Sequence, residues 1–138
     1  MTWWLYALLS AIFASLTAIF AKIGVSNINS NLATAIRTII ILIVAWGIVL
    51  AKGEAKELAS VSKQNYLYLI ISGVATGLSW IFYFKALQIG KVSQVAPVDK
   101  LSVALTIVLS IIFLGEALTL KSAIGACLII AGTLVIIS

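Results

Sequence analysis

The chain has 138 residues, 63% of them hydrophobic and only 9% charged, with a mean hydropathy of +1.23. Soluble domains are roughly 45–50% apolar and about 25% charged, so this composition cannot supply the polar surface that water demands. The net charge of +5 comes from Lys and Arg near the ends of apolar runs, which points to membrane topology and snorkelling and away from nucleic acid.

A membrane-spanning helix needs about 20 mainly apolar residues at 1.5 Å rise. Five segments meet that requirement, and they predict an all-α integral membrane bundle of five transmembrane helices. The first is expected over about Trp3 to Lys22, with Trp3, Trp4 and Tyr6 suited to a membrane interface. It has no basic n-region or convincing cleavage site, so it reads as a retained helix. The second runs from about Leu32 to Ala51, with Ser30 and Asn31 as candidate caps. The third runs from about Tyr66 to Leu87. The fourth, from about Ser93 to Leu114, places Pro97 in its first turn, where a missing N–H costs little. The fifth runs from about Thr119 to Ser138.

Short links make successive spans antiparallel neighbours. The longest link carries Glu54, Lys56, Glu57, Leu58, Val61 and Lys63; an interfacial helix and a solvated coil are both open. One membrane face receives Lys52, Lys56, Lys63 and Lys121. The other receives Lys22, Lys85 and Lys91, with Arg37 and Lys100 slightly inside the membrane. This balance leaves two readings: a single orientation, or insertion both ways and an antiparallel homodimer.

At about 100° per residue, Ser72, Thr76, Ser79 and Tyr83 share an arc of roughly 60° on the third helix. Asp99, Ser102, Thr106 and Ser110 share roughly 80° on the fourth. Lipid offers hydroxyls nothing, so both stripes are expected to turn inward. They serve either as interhelical hydrogen-bond glue, about 0.6 kcal/mol per contact, or as the lining of a hydrated cavity. Trp80 flanks the third-helix stripe and could stack on an apolar or cationic group. Gly73 and Gly77 form a G-x-x-x-G, and Gly125 and Gly132 lie two turns apart on the last helix; all four read as helix-packing positions.

The charges within the spans are more informative. Burying one costs at least about 2.5–3.5 kcal/mol on insertion scales, so each needs a partner or water. Arg37 and Asp99 enter from the same face at similar depth and are expected to pair, as a topology-fixing bridge or as a gate. Asp99 and Lys100, adjacent in sequence, are expected to point apart. Lys22 and Lys85 can snorkel or meet a solute. There is no His, no metal-ligand cluster, no Walker loop and no nucleophile–base pair, so neither an enzyme nor a bound cofactor is expected. The single Cys127 has no disulfide partner within the chain.

Three stretches carry a resemblance: Phe82-Tyr-Phe-Lys-Ala-Leu-Gln-Ile-Gly90, Val95-Ala-Pro-Val-Asp-Lys-Leu-Ser102 and Ile112-Phe-Leu-Gly-Glu-Ala-Leu-Thr119, followed by Gly125 and Gly132. In order and spacing they resemble the EamA domain of the drug/metabolite transporter superfamily, over essentially the whole chain. The usual EamA protein has two such five-helix units in inverted tandem. This sequence resembles the short five-helix branch, a single EamA-like domain over residues 1–138, which implies pairing with a second copy. The resemblance also implies a secondary transporter in the cell membrane that moves small metabolites or drug-like solutes by alternating access about a midplane site. The small multidrug resistance relatives use a first-helix glutamate that this chain lacks, so proton-coupled export of drug cations by that route is not implied. Under this reading Ser72, Thr76, Ser79, Trp80, Tyr83, Ser102 and Thr106 contact the solute in a cavity between the two stripes. Arg37, Asp99, Lys100, Lys22 and Lys85 form the charged or gating set, and Glu116 caps the turn before the last helix. A non-transporting membrane subunit that packs against another protein is the alternative.

Overall fold

The computed structural model describes residues 2–138 and is helical throughout its length apart from short connections. The elements are α1 (Trp3–Val25), α2 (Ser30–Ala51), a 3₁₀ helix (Glu54–Ser60), α3 (Lys63–Ile89), α4 (Val92–Asp99), α5 (Leu101–Leu114) and α6 (Leu120–Ile137). With α4 and α5 taken together, five segments are long and apolar enough to cross a membrane. Most large apolar side chains on them are exposed, as lipid-facing side chains are.

Local chemistry sets the ends. Asn29, one residue before the expected caps, closes the start of α2: its side-chain oxygen accepts from the N–H of Asn31 at 2.9 Å and of Leu32 at 3.4 Å. Ser30 is instead the first helical residue and is buried. At the start of α6, Thr119 accepts from the Ser122 N–H at 3.1 Å. α5 ends at Gly115, whose φ of 67° is costly for any residue with a Cβ. The N–H groups of Gly115 and Glu116 both donate to the Ser110 carbonyl, so Glu116 helps close this turn through its backbone.

The fourth span differs from its sequence reading. Pro97 lies in the last turn of α4, and the helix is interrupted at Lys100, which ends α4 and begins α5. Pro97 has no N–H to return to the preceding turn, which weakens the helix here. The Lys100 N–H is shared between the carbonyls of Ala96 and Pro97, at 3.3 and 3.1 Å. The long link, left open between coil and helix, is the exposed 3₁₀ helix, entered through Gly53 at φ 70°.

Contacts group the chain into two compact units, Phe20–Gln88 and Met1–Ile19 with Ile89–Ser138. In Phe20–Gln88 the buried residues are Ala21, Val25, Ser30, Ala33, Thr34, Phe84 and Leu87. They cluster where α1 ends, α2 begins and α3 ends. In the other unit, α6 packs along α4 and α5, and buried Thr133 joins α6 to α4.

Candidate functional site

Within Phe20–Gln88, the charged centre is Arg37. It stands seven residues after the start of α2, about 10 Å along the helix. Its guanidinium carbon lies 4.4 Å from the centre of the Trp80 ring and 5.3 Å from that of Phe84, both on α3. The cation that Trp80 faces is a residue of the chain itself. Such stacking is worth about 0.5–1 kcal/mol at exposed sites and about 2 or more where water is excluded. Trp80, Tyr83, Phe84 and Leu87 are three and four residues apart, so they share the face of α3 that meets Arg37.

The expected α3 hydroxyls continue from this face. Thr76 lies one turn before Trp80 and Ser72 one turn before that. Ser72, Thr76 and Ser79 are exposed, while Trp80 and Tyr83 are half-buried. Thr76 Oγ1 donates to the Ser72 carbonyl at 2.9 Å, so that donor is satisfied within its own helix. Its oxygen still has accepting capacity. Thr34 and Thr38 of α2 make the same kind of bond, to the carbonyls of Ser30 and Thr34 at 2.9 and 2.8 Å.

The end of this unit is closed by a reciprocal clasp. Lys22 of α1 donates from Nζ to the Leu87 carbonyl at 2.6 Å and, more weakly, to that of Gln88 at 3.5 Å. Gln88 of α3 returns its amide N–H₂ to the carbonyls of Val25 and Ile28 at 3.2 and 2.8 Å. Lys85 donates to the Gln88 side-chain oxygen at 3.2 Å, which fixes the amide orientation. Lys22 thus covers carbonyls at the C-terminal end of α3, and Gln88 covers one at the C-terminal end of α1 and one in the link that follows; a cation or N–H donor at a helix C-terminus is also favoured by the helix dipole. Lys22 and Lys85 are structural partners of the backbone and of Gln88 here. Gln88 was not anticipated; its position three residues after Lys85 near the end of a span was the available signal.

In the other unit, Asp99 and Lys100 sit at the α4–α5 interruption. The Lys100 Nζ reaches Asp99 Oδ2 at 3.3 Å, so the two do pair, against the expectation that they point apart. That expectation weighed only the angle between neighbouring side chains, whereas the long Lys100 side chain reaches back to its neighbour. Ser102 and Thr106 follow on exposed positions of α5. Ser110 is bonded to the Ile107 carbonyl at 3.0 Å. Thr133 was also unanticipated. It is 3% exposed, and its hydroxyl lies 3.2 Å from the Pro97 carbonyl and 2.8 Å from that of Ile129.

The glycines expected at packing seams do not make close approaches within the chain. Among the described residues, a Cβ placed on Gly73, Gly77, Gly125 or Gly132 would meet nothing within 4 Å beyond its chain neighbours and its own helix backbone. Among the described residues no group of three or more His, Cys, Asp or Glu could hold a metal ion.

Five apolar spans with polar and charged side chains on particular faces define a multi-pass membrane protein. The EamA-like transporter family model matches residues 1–138, and the chain belongs to that family. It is therefore a transporter-family protein of the drug/metabolite type and not an enzyme. A Sinorhizobium protein named an uncharacterized transporter in the cobO 3′ region is 47% identical over 135 residues, covering 98% of this chain and 96% of that protein. An uncharacterized protein of Methanocaldococcus jannaschii is 34% identical over 129 residues, covering 94% of this chain and 91% of that protein. No solved structure matches the chain.

Proposed function

We propose that this protein is a secondary transporter that carries a small metabolite or drug-like solute across the cell membrane by alternating access, as two copies of the chain. The observation that carries this reading is the Arg37–Trp80 stack inside a span, beside a row of hydroxyls on the same helix face. A guanidinium at that depth needs water or a polar ligand, and a lipid-facing scaffold has no use for either. Ser72, Thr76, Ser79, Trp80 and Tyr83 of α3, and Ser102 and Thr106 of α5, contact the solute. Arg37, Asp99 and Lys100 are the charged groups whose partners change during the cycle, and Lys22 and Lys85 steady the helix ends. Residues 1–138 act as one EamA-like unit. The open faces at Gly73, Gly77, Gly125 and Gly132 receive the second copy, either antiparallel or related by a two-fold axis.

The test is counterflow in liposomes reconstituted with the purified chain, across a panel of amino acids, organic acids, amines and neutral metabolites. At least one solute should exchange faster than in protein-free liposomes, and Thr76→Val with Ser79→Ala should slow it. No exchange for any solute, with the chain folded, defeats the reading. The same glycine faces support a second reading, a membrane subunit that packs another protein. Under it the hydroxyl substitutions would alter a complex and leave solute fluxes unchanged.

A further inference from the structure

Arg37 is the one charged residue in the interior of the α1, α2 and α3 spans, as distinct from Lys22, Lys63 and Lys85 near their ends. Among the described residues, the guanidinium lies over the faces of Trp80 and Phe84, and no hydrogen bond or ion pair engages its nitrogens. Among the described residues no buried side-chain nitrogen or oxygen lacks a partner, so the uncommitted guanidinium nitrogens are accessible. A guanidinium presents five N–H donors in a planar fork and never gives up its charge.

The unit offers no carboxylate to fill that fork. Its acidic residues are Glu54 and Glu57, on the 3₁₀ helix beyond the far end of α2. From Arg37 to Ala51 alone is about 21 Å of helix. Glu54 and Glu57 have cations of their own beside them, Lys52, Lys56 and Lys63, and Lys52 lies 3.8 Å from Glu54; Lys22 and Lys85 are at the same end as Arg37, and their bonds include two carbonyls and an amide oxygen. This end of the unit is therefore positively charged and lacks a compensating anion. The rings hold the guanidinium in place, which lowers the ordering cost of a ligand bound to its edge.

We infer that Arg37, held against Trp80 and Phe84, is an oxyanion site that takes the carboxylate or phosphate group of the transported solute. This rests on the transport reading and narrows its substrate class to small organic anions. Thr76 and Tyr83, on the face of α3 that carries Trp80, supply hydroxyls for the remaining polar groups of the same ligand. A guanidinium engages such an oxyanion bidentately; a lysine meets it only as a point charge. An anionic lipid headgroup carries the same chemistry, so the experiment separates the two sources.

The experiment uses the full chain in phosphatidylcholine nanodiscs, with benzoate, acetate, inorganic phosphate and tetraethylammonium as probes. Thermal stabilisation and intrinsic tryptophan fluorescence are read for wild type, Arg37→Gln, Arg37→Lys and Trp80→Phe. Benzoate or phosphate should stabilise the wild type, bind Arg37→Gln roughly tenfold or more weakly, and bind Arg37→Lys at an intermediate level. Tetraethylammonium should produce no Arg37-dependent shift. Equal anion responses in wild type, Arg37→Gln and Arg37→Lys overturn the site, as does a response to the cation alone. Should Arg37→Gln fail to fold, Arg37→Lys and Trp80→Phe carry the comparison. Repetition with phosphatidylglycerol present identifies the lipid source: an Arg37-dependent shift caused by that lipid, which benzoate cannot displace, overturns the assignment to solute. Transport is scored separately in liposomes. Exchange of a neutral or cationic solute that is indifferent to Arg37→Gln sinks the anion site and leaves the transporter standing. Arg37-dependent anion binding without exchange of any solute does the reverse.

Discussion

Lys22 and Gln88 bind across the same junction in opposite directions: the Lys22 ammonium donates to the Leu87 carbonyl at 2.6 Å, and the Gln88 amide donates to the Ile28 carbonyl at 2.8 Å. Leu87 is fully buried beside the clasp, and the bonds to the Leu87 and Val25 carbonyls are part-buried, so water competes poorly for those two, while the Ile28 bond is exposed. Gln88→Leu should therefore destabilise the chain by about 1–3 kcal/mol, because the α1-end carbonyls lose their donors. Equilibrium unfolding in mixed detergent measures this. Faster hydrogen exchange at the α1 C-terminus would place the damage there. An unchanged unfolding curve would mean that lipid or water satisfies those carbonyls equally well.

The Thr133 hydroxyl is placed to reach the Pro97 carbonyl, next to the break between α4 and α5. Thr133→Val keeps the shape and removes the hydroxyl, so it should cost about 1–2 kcal/mol, while Thr133→Ser should keep most of the stability. Pro97→Ala restores an N–H and should extend protection through Lys100. Hydrogen exchange at residues 97–101 distinguishes a repaired helix from an unchanged one.

Gly115 and Gly73 should respond oppositely to alanine. Gly115→Ala forces a side chain into left-handed backbone and should cost about 1 kcal/mol. Gly73→Ala places a methyl in open space within a helix and should leave the isolated chain as stable or slightly more so. Thermal unfolding at low protein-to-detergent ratio compares the two.

A bulkier change at the same face tests pairing of copies. Gly73→Leu with Gly77→Leu should lower the cross-linked dimer fraction several-fold without changing helicity, if this face receives the second copy. Cysteine cross-linking in membranes, with circular dichroism as the control, reads both. An unchanged dimer fraction moves the contact elsewhere, with Gly125 and Gly132 next to be tested.

Orientation has a direct readout. Lys52, Lys56, Lys63 and Lys121 on one face nearly balance Lys22, Lys85 and Lys91 on the other; if the chain inserts both ways, a C-terminal reporter after Ser138 is active on both sides of the membrane. Adding two lysines to the 54–60 segment should shift the population toward one side. A reporter active on one side alone would exclude an antiparallel pair of identical chains.

The five spans were legible because lipid leaves the backbone few solutions: long apolar runs must pair their own N–H and C=O groups, and helices do that with local bonds alone. The resemblance carried by residues 82–90, 95–102 and 112–119 likewise pointed to the family that the whole chain matches. What sequence spacing could not supply was the partner of each polar group. Regular helical angles separate Asp99 from Lys100, whereas the length of the lysine side chain lets them pair. Arg37 was identified as a buried charge that needs company, but only the packing of α2 against α3 places it on Trp80 and Phe84. Gln88 and Thr133 looked like ordinary helix residues until distant backbone carbonyls came within reach. Helix formation depends on neighbours a few residues away and is written in composition and period. Hydrogen bonds between helices depend on the three-dimensional positions of groups up to 66 residues apart, which no local pattern encodes.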